Sequence, residues 1–256
     1  MKIAVYTAIF NNYDIIQQPF FIPLEVDFFC FTNDQTYVSH PWKYISHKIP
    51  ENSNAKIESA RLKILSHEIL ASYDYTVWVD GNIIIKRNIY ELILSLNKNY
   101  SFWVNRHLSR DCIYDEALVC IKEFKADKNK TNSQIQKYKK LGFPEKYGLY
   151  ETTVIIRSQK NNDLNELHKI WWHEFYNGGH RDQLALDFSR WKTNIQFDVI
   201  GYDYRNSSYF YKLPHIPNVM KKKLYYWDTI ARLYYSENLF CKILIKLLLF
   251  FIYISP

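Results

Sequence analysis

A chain of 256 residues, 48% hydrophobic and 18% aromatic, can bury a sizeable core. It fits one large domain, or one domain with a small appendage, and its few glycines and prolines exclude an intrinsically disordered protein. The net charge of +7 favours an anionic partner, whether nucleotide phosphates, an acidic glycan, a membrane surface or nucleic acid, and does not choose among them.

The cysteines Cys30, Cys112, Cys120 and Cys241 are widely spaced, with no Cys-x-x-Cys pair to suggest zinc or a redox site, so a reducing compartment is expected. Met1 to Ile9 carries only a short apolar run, which reads as a first strand and lacks the features of a signal peptide. The expected location is therefore the cytoplasm.

The N-terminal half alternates strand-like and helix-like segments, the pattern of βαβ units around a mostly parallel sheet. Strands are predicted at Lys2 to Ile9, Val26 to Thr32 and Trp42 to His47, followed by a helix from Asn54 to Leu70. In that helix Ile57, Ile64 and Leu65 form an apolar arc with Arg61 in its middle, and an arginine so placed needs an anionic partner. A strand from Tyr75 to Val79 then runs into Asp80-Gly81-Asn82. Two oxygen-bearing side chains at the carboxyl end of a buried strand suit a hard divalent cation shared with substrate phosphates. The competing reading is a plain turn, since Asp, Gly and Asn are turn residues.

Further on, Asn88 to Leu96 reads as helix, Ser101 to Asn105 as strand, Tyr114 to Phe124 as helix, and Lys125 to Lys140 as a polar surface helix or loop. Glu151 to Arg157 is a β-branched strand, and Asp163 to Tyr176 a helix that Gly178-Gly179 ends in the manner of a glycine C-cap. Arg181-Asp182-Gln183 opens another helix, with Asp182 near its positive end or capping it. After Lys221-Lys222-Lys223 come an aromatic stretch to Tyr235 and an apolar run from Leu239 to Ile254, interrupted by Lys242 and Lys246. That run is too short to span a bilayer, and a helix lying on a membrane surface fits it. The alternative is a helix packed on the domain or on a second subunit.

Taken in order, Tyr6-Thr-Ala-Ile-Phe-Asn-Asn-Tyr-Asp14, Cys30-Phe-Thr-Asn33, Lys56-Ile-Glu-Ser-Ala-Arg61, Trp78-Val-Asp-Gly-Asn82, Gly148-Leu-Tyr-Glu151, Trp171-Trp-His-Glu174 and Arg181-Asp-Gln183 resemble the mucilage-related glycosyltransferase-like domain family of plants and bacteria. That family is similar in pattern to the GT-A glycosyltransferases, and the resemblance covers about Lys2 to His215. It implies an α/β, GT-A-like (Rossmann-like) domain over residues 1–217, with a mostly parallel central sheet flanked by helices, and a C-terminal helical extension over 218–256.

The resemblance also implies roles. Tyr6, Thr7 and Asn11, with Asp14, would hold the base and ribose of a nucleoside-diphosphate sugar, with Thr32, Asn33 and Asp34 beside the base. Arg61 would reach phosphate or donor sugar, with Lys56 either sharing that task or standing as a surface cation. Asp80, Gly81 and Asn82 would occupy the place of the Asp-x-Asp that ligates Mn²⁺ or Mg²⁺, and Asn82 departs from the two-carboxylate form. His215 resembles a late histidine that completes such a site, or is a structural histidine. Asp182 and Gln183 would lie beneath the sugar, Asp182 ordering hydroxyls or acting as general base, while Glu151 and Thr152 would face the same cleft and His107 the acceptor side.

The expected activity is transfer of a sugar, with a UDP-sugar favoured, to a hydroxyl of a glycan or lipid-linked acceptor in surface polysaccharide synthesis. Two other readings stand beside it. One is a catalytically silent protein that binds nucleotide sugar or glycan. The other is a nucleic-acid-binding module, which scattered lysines and aromatics placed within strands and helices disfavour.

Overall fold

A computed structural model describes residues 1–36, 38–66, 68–159, 164–201 and 207–215. The basic and apolar C-terminal segment, including the expected extension over 218–256, lies outside the described residues.

The expected mostly parallel sheet is present. Seven strands line up in the order β3 (Trp42–Ser46), β2 (Val26–Thr32), β1 (Ile3–Ala8), β4 (Tyr75–Val79), β7 (Tyr150–Ser158), β6 (Phe102–Arg106) and β8 (Asp198–Val199). All pairings are parallel except those of β7, which runs antiparallel to both β4 and β6. The chain leaves β1 towards β2 and β3, then returns to place β4 on the other side of β1. The β1/β4 boundary is therefore the topological switch point, where an open α/β sheet leaves a crevice beyond its carboxyl ends.

Alternation along the strands builds two cores. Ile3, Val5, Val77 and Val79 face one side, where Ile89, Leu92 and Ile93 of α2 (Ile89–Ser95) cover them. Ala4, Tyr6 and Trp78 face the other, covered by α1 (Ala55–Leu65), α5 (Leu164–Asn177) and α6 (Asp182–Thr193). A third apolar cluster joins α3 (Ile113–Lys122), α4 (Lys128–Lys140) and α6. A two-stranded ribbon pairs β5 (Ile83–Ile85) with β9 (Phe210–Lys212), and Asn82 ties down the chain just beyond it, because Leu213 N donates to Asn82 O at 2.9 Å.

Three local expectations are corrected. The helix expected over Asn54 to Leu70 stops at Leu65, because Ser66 takes φ +65° and a 3₁₀ turn follows at Glu68–Leu70. Its buried residues are Glu58, Leu62, Lys63 and Ile64, whereas Leu65 is exposed, so the apolar arc does not define the inward face. Gly178 and Gly179 do end α5, but they do so for lack of space. A Cβ on Gly178 would lie 2.3 Å from the Gln134 side chain and one on Gly179 2.0 Å from Thr131 Oγ1, so α4 packs where a side chain would stand. The left-handed residue there is His180.

Candidate active site

At the switch point the chain closes a cavity of about 640 Å³. The loop after β1 forms one wall. Asn11 and Asn12 both take φ near +50°, a conformation asparagine tolerates, and this turn aims Tyr13 and Asp14 at the cavity. Opposite it, β4 ends in Asp80-Gly81. Gly81 is needed for close approach, since a Cβ there would lie 2.9 Å from Ile9 Cγ1 and 3.2 Å from Asp14 Cβ. The N-terminal turns of α1 (Ala55, Lys56) and α6 (Asp182) complete the wall with Arg181 and His180.

The charged centre is a lysine between two aspartates. Lys63 Nζ lies 2.8 Å from Asp182 Oδ2 and 3.0 Å from Asp80 Oδ1, with only 10% of its side chain exposed. Asp80 Oδ1 also accepts from Trp78 Nε1 at 2.8 Å, and Asp182 Oδ2 from Thr152 Oγ1 at 2.6 Å. Burial alone would lower the Lys63 ammonium, but Asp182 and Asp80 hold it above its ordinary value. Burial likewise works to raise Asp182, but Lys63, Arg181 and the bond from Thr152 hold that carboxyl well below the usual carboxylate range. At the rim, His215 Nδ1 lies 3.1 Å from Asp14 Oδ1, and that bond raises the imidazole.

Of the residues predicted from sequence, the cavity brings together Asn11, Asp14, Lys56, Asp80, Gly81, Asp182 and His215. Thr152 stands behind Asp182 as its hydrogen-bond donor. Gln183 accepts from Arg181 Nη2 at 3.0 Å and is not part of the lining.

Others are placed elsewhere. Tyr6 is fully buried in the core, with its hydroxyl accepting from Arg157 Nη1 at 2.8 Å. Thr7 is buried in β1, and Thr32 is buried with its hydroxyl bonded to Asp34. Asn33 accepts from the backbone N–H of Asn11 at Oδ1 and donates from Nδ2 to Asn11 Oδ1, and so fixes the β1 loop without itself lining the cavity. Arg61 finds its anionic partner within its own helix. Its Nε lies 2.9 Å from Glu58 Oε2 and its Nη2 3.2 Å from His47 Nε2, which turns the guanidinium outside the lining. Glu151 is buried beside His107, whose Nε2 lies 3.8 Å from Glu151 Oε1.

Of the three expected metal donors, Asp80 and His215 line the cavity but Asn82 does not join them. Asn82 is buried under the turn, donating to Leu213 O at 2.6 Å, and lies outside the lining. Asp80 is held by Lys63 and His215 by Asp14. Among the described residues no cluster of three or more His, Cys, Asp or Glu is arranged to hold a metal ion.

A family model described as the TOD1/MUCI70 glycosyltransferase-like domain matches residues 1–207. The chain belongs to this family. No curated protein matches it. The matched span takes in β1 through β8, every helix among the described residues and the three cavity aspartates, Asp14, Asp80 and Asp182, so the family assignment and the cavity concern the same domain. His215 lies beyond it. The residues that sequence reasoning missed are Lys63, Arg181 and His180. Lys63 had a signal available, since it follows Arg61 by half a turn of helix, but a lysine in a mixed helix reads as a wet residue unless its carboxylate partners are known.

Proposed function

We propose that this glycosyltransferase-like domain transfers a sugar from a nucleoside-diphosphate donor, with UDP favoured, to a hydroxyl of a glycan or lipid-linked acceptor in surface polysaccharide synthesis. The observation that carries the reading is the cavity at the β1/β4 switch point, lined by Lys56, Lys63 and Arg181 together with Asp80 and Asp182. Cations set beside carboxylates at the carboxyl ends of parallel strands suit a ligand with an anionic and a hydroxylated end. The diphosphate would lie towards Lys56 and Lys63, where positive charge offsets the charge that grows as the anomeric C–O bond breaks. The sugar would lie towards Asp182.

Asp182 is better suited to ordering hydroxyls than to taking a proton. A carboxylate held far below its ordinary range by Lys63 and Arg181 is a weak base. The same observation favours a second reading, a domain that binds nucleotide sugar without turning it over. The membrane contact expected of the C-terminus falls outside the described residues, and among these no helix is long and apolar enough to cross a membrane.

The test is thermal unfolding of the purified chain with UDP, GDP, CDP and their sugar conjugates, since a ligand that binds only the folded state raises its stability. One diphosphate should raise the midpoint, and slow hydrolysis of its sugar conjugate should separate enzyme from silent binder. A chain that no nucleotide stabilises would overturn the reading.

A further inference from the structure

Every carboxylate that lines the cavity already has a nitrogen partner. Asp80 and Asp182 share Lys63, at 3.0 and 2.8 Å, and Asp14 holds His215 at 3.1 Å. The lysine is fixed from behind. Its carbonyl accepts from Arg157 Nη2 at 2.6 Å, Arg157 in turn bonds the Tyr6 hydroxyl, and its ammonium lies 5.4 Å from the centre of the Trp78 ring. A divalent ion approaching Asp80 and Asp182 would meet this ammonium within ion-pair distance of both carboxylates, and at such range like charges repel strongly in a partly dry site. Asn82 presents no alternative oxygen to the cavity, because it lies outside the lining, where its Nδ2 donates to Leu213 O at 2.6 Å.

We propose that Lys63 is a built-in cation standing where a divalent metal would otherwise sit, so that the cavity binds a nucleoside diphosphate without Mn²⁺ or Mg²⁺. The proposal rests on the nucleotide-sugar reading above and adds the source of positive charge. A fixed ammonium does part of what a metal does. It neutralises the acidic turn at the end of β4 and presents positive charge to phosphate. It does not need to be recruited, and a chelator does not remove it.

The experiment has two independent arms. In the first, metal-stripped protein is titrated calorimetrically with UDP, GDP and CDP in EDTA and then in Mn²⁺. The expected result is an affinity for one nucleotide that agrees within about twofold between the two conditions, and an affinity more than about tenfold higher in Mn²⁺ would overturn the proposal. In the second arm, Mn²⁺ alone is titrated into wild type, Lys63→Ala and Asp80→Asn, with bound ion followed by electron paramagnetic resonance. Wild type should bind no Mn²⁺ below the millimolar range, and Lys63→Ala should acquire a site by exposing two unpaired carboxylates. A wild-type Mn²⁺ site that Asp80→Asn abolishes would overturn the proposal, and so would a folded Lys63→Ala protein that gains none. If Lys63→Ala does not fold, the wild-type titrations decide. If no nucleotide binds in either condition, the nucleotide-sugar reading fails, while the Mn²⁺ arm still judges Lys63.

Discussion

Lys63 Nζ lies 2.8 Å from Asp182 Oδ2, joining two helices across 119 positions of sequence. With Asp80 as second partner, this ammonium holds α1, α6 and the end of β4 together. Removing one member of a buried ion pair leaves the other charge uncompensated, at about 3–5 kcal/mol. Lys63→Met should therefore lower the unfolding midpoint by roughly 6–20 °C, at about 2–4 °C per kcal/mol for a domain of this size. Circular dichroism melts check this. Adding Asp182→Asn to Lys63→Met should recover part of the loss, since one stranded charge is gone. A double variant no more stable than Lys63→Met would show that the pair is not coupled.

Two aspartates of α6 should give the pH–stability curve opposite slopes. Asp182 is depressed in the folded state, so its contribution is present above the unfolded carboxyl value near 4 and is lost as pH falls further. Asp187 is fully buried, and burial pushes its carboxyl up to about 7 despite Arg190 and a bond from Tyr150 N. A raised carboxyl binds its proton more tightly in the folded state, so that contribution is lost as pH rises from about 4 to about 7. Urea unfolding across pH 2.5–8.5, a range chosen to bracket about 4 and about 7, should show a flatter acid limb in Asp182→Asn and a flatter neutral limb in Asp187→Asn. Curves parallel to wild type would refute both assignments.

Six of the seven strands of the sheet were legible from the chain because they are rich in Val, Ile, Phe, Tyr and Trp, and all six, together with α2, keep their predicted bounds to within one residue at either end, whereas β8, two residues long, carries no such run. The site was half legible. Asp80, Asp182 and Lys56 sit at the starts and ends of elements, where pattern and resemblance both point. Lys63 and Arg61 could not be ranked by sequence, because the helix face they belong to is decided by Glu58, Asp80 and Asp182, which no local period reveals. His215 reaches the rim only because three residues of β9 pair with β5, a strand too short to announce itself.

Lys56 and Arg61 are five residues apart in one helix and should behave differently. Lys56 lines the cavity, whereas Arg61 is turned to Glu58 and His47. Lys56→Ala should weaken nucleotide binding by about tenfold, the value of one good charge-assisted contact, while Arg61→Ala should stay within about twofold. Calorimetric titration of both variants compares them directly, and a larger loss from Arg61→Ala would return the guanidinium to the ligand.

Gly81 carries a geometric prediction. A methyl group there would lie 2.9 Å from Ile9 Cγ1 and 3.2 Å from Asp14 Cβ, so the β1 loop must give way. Overpacking of this kind costs about 1–3 kcal/mol. Gly81→Ala should be less stable by that amount and should also disturb Asp14, hence the bond that raises His215. The His215 titration, followed by NMR, should move down towards its ordinary value. An unchanged titration in a destabilised variant would mean that Ile9 alone absorbs the strain.

Asn82 separates a structural amide from a missing metal ligand. Its Nδ2 donates to Leu213 O at 2.6 Å and its Oδ1 is buried with no hydrogen-bond partner. Restoring a second carboxylate with Asn82→Asp would improve a metal site if the side chain reached the cavity. Where it actually lies, the substitution removes a donor and sets a carboxylate against a carbonyl, at a cost of about 1–3 kcal/mol or more for a charge left unsatisfied. Asn82→Asp should therefore melt below wild type, loosen the β5–β9 ribbon in hydrogen exchange, and show no added stability in Mn²⁺. A variant that Mn²⁺ stabilises would place Asn82 at the cavity and assign the turn after β4 to metal binding.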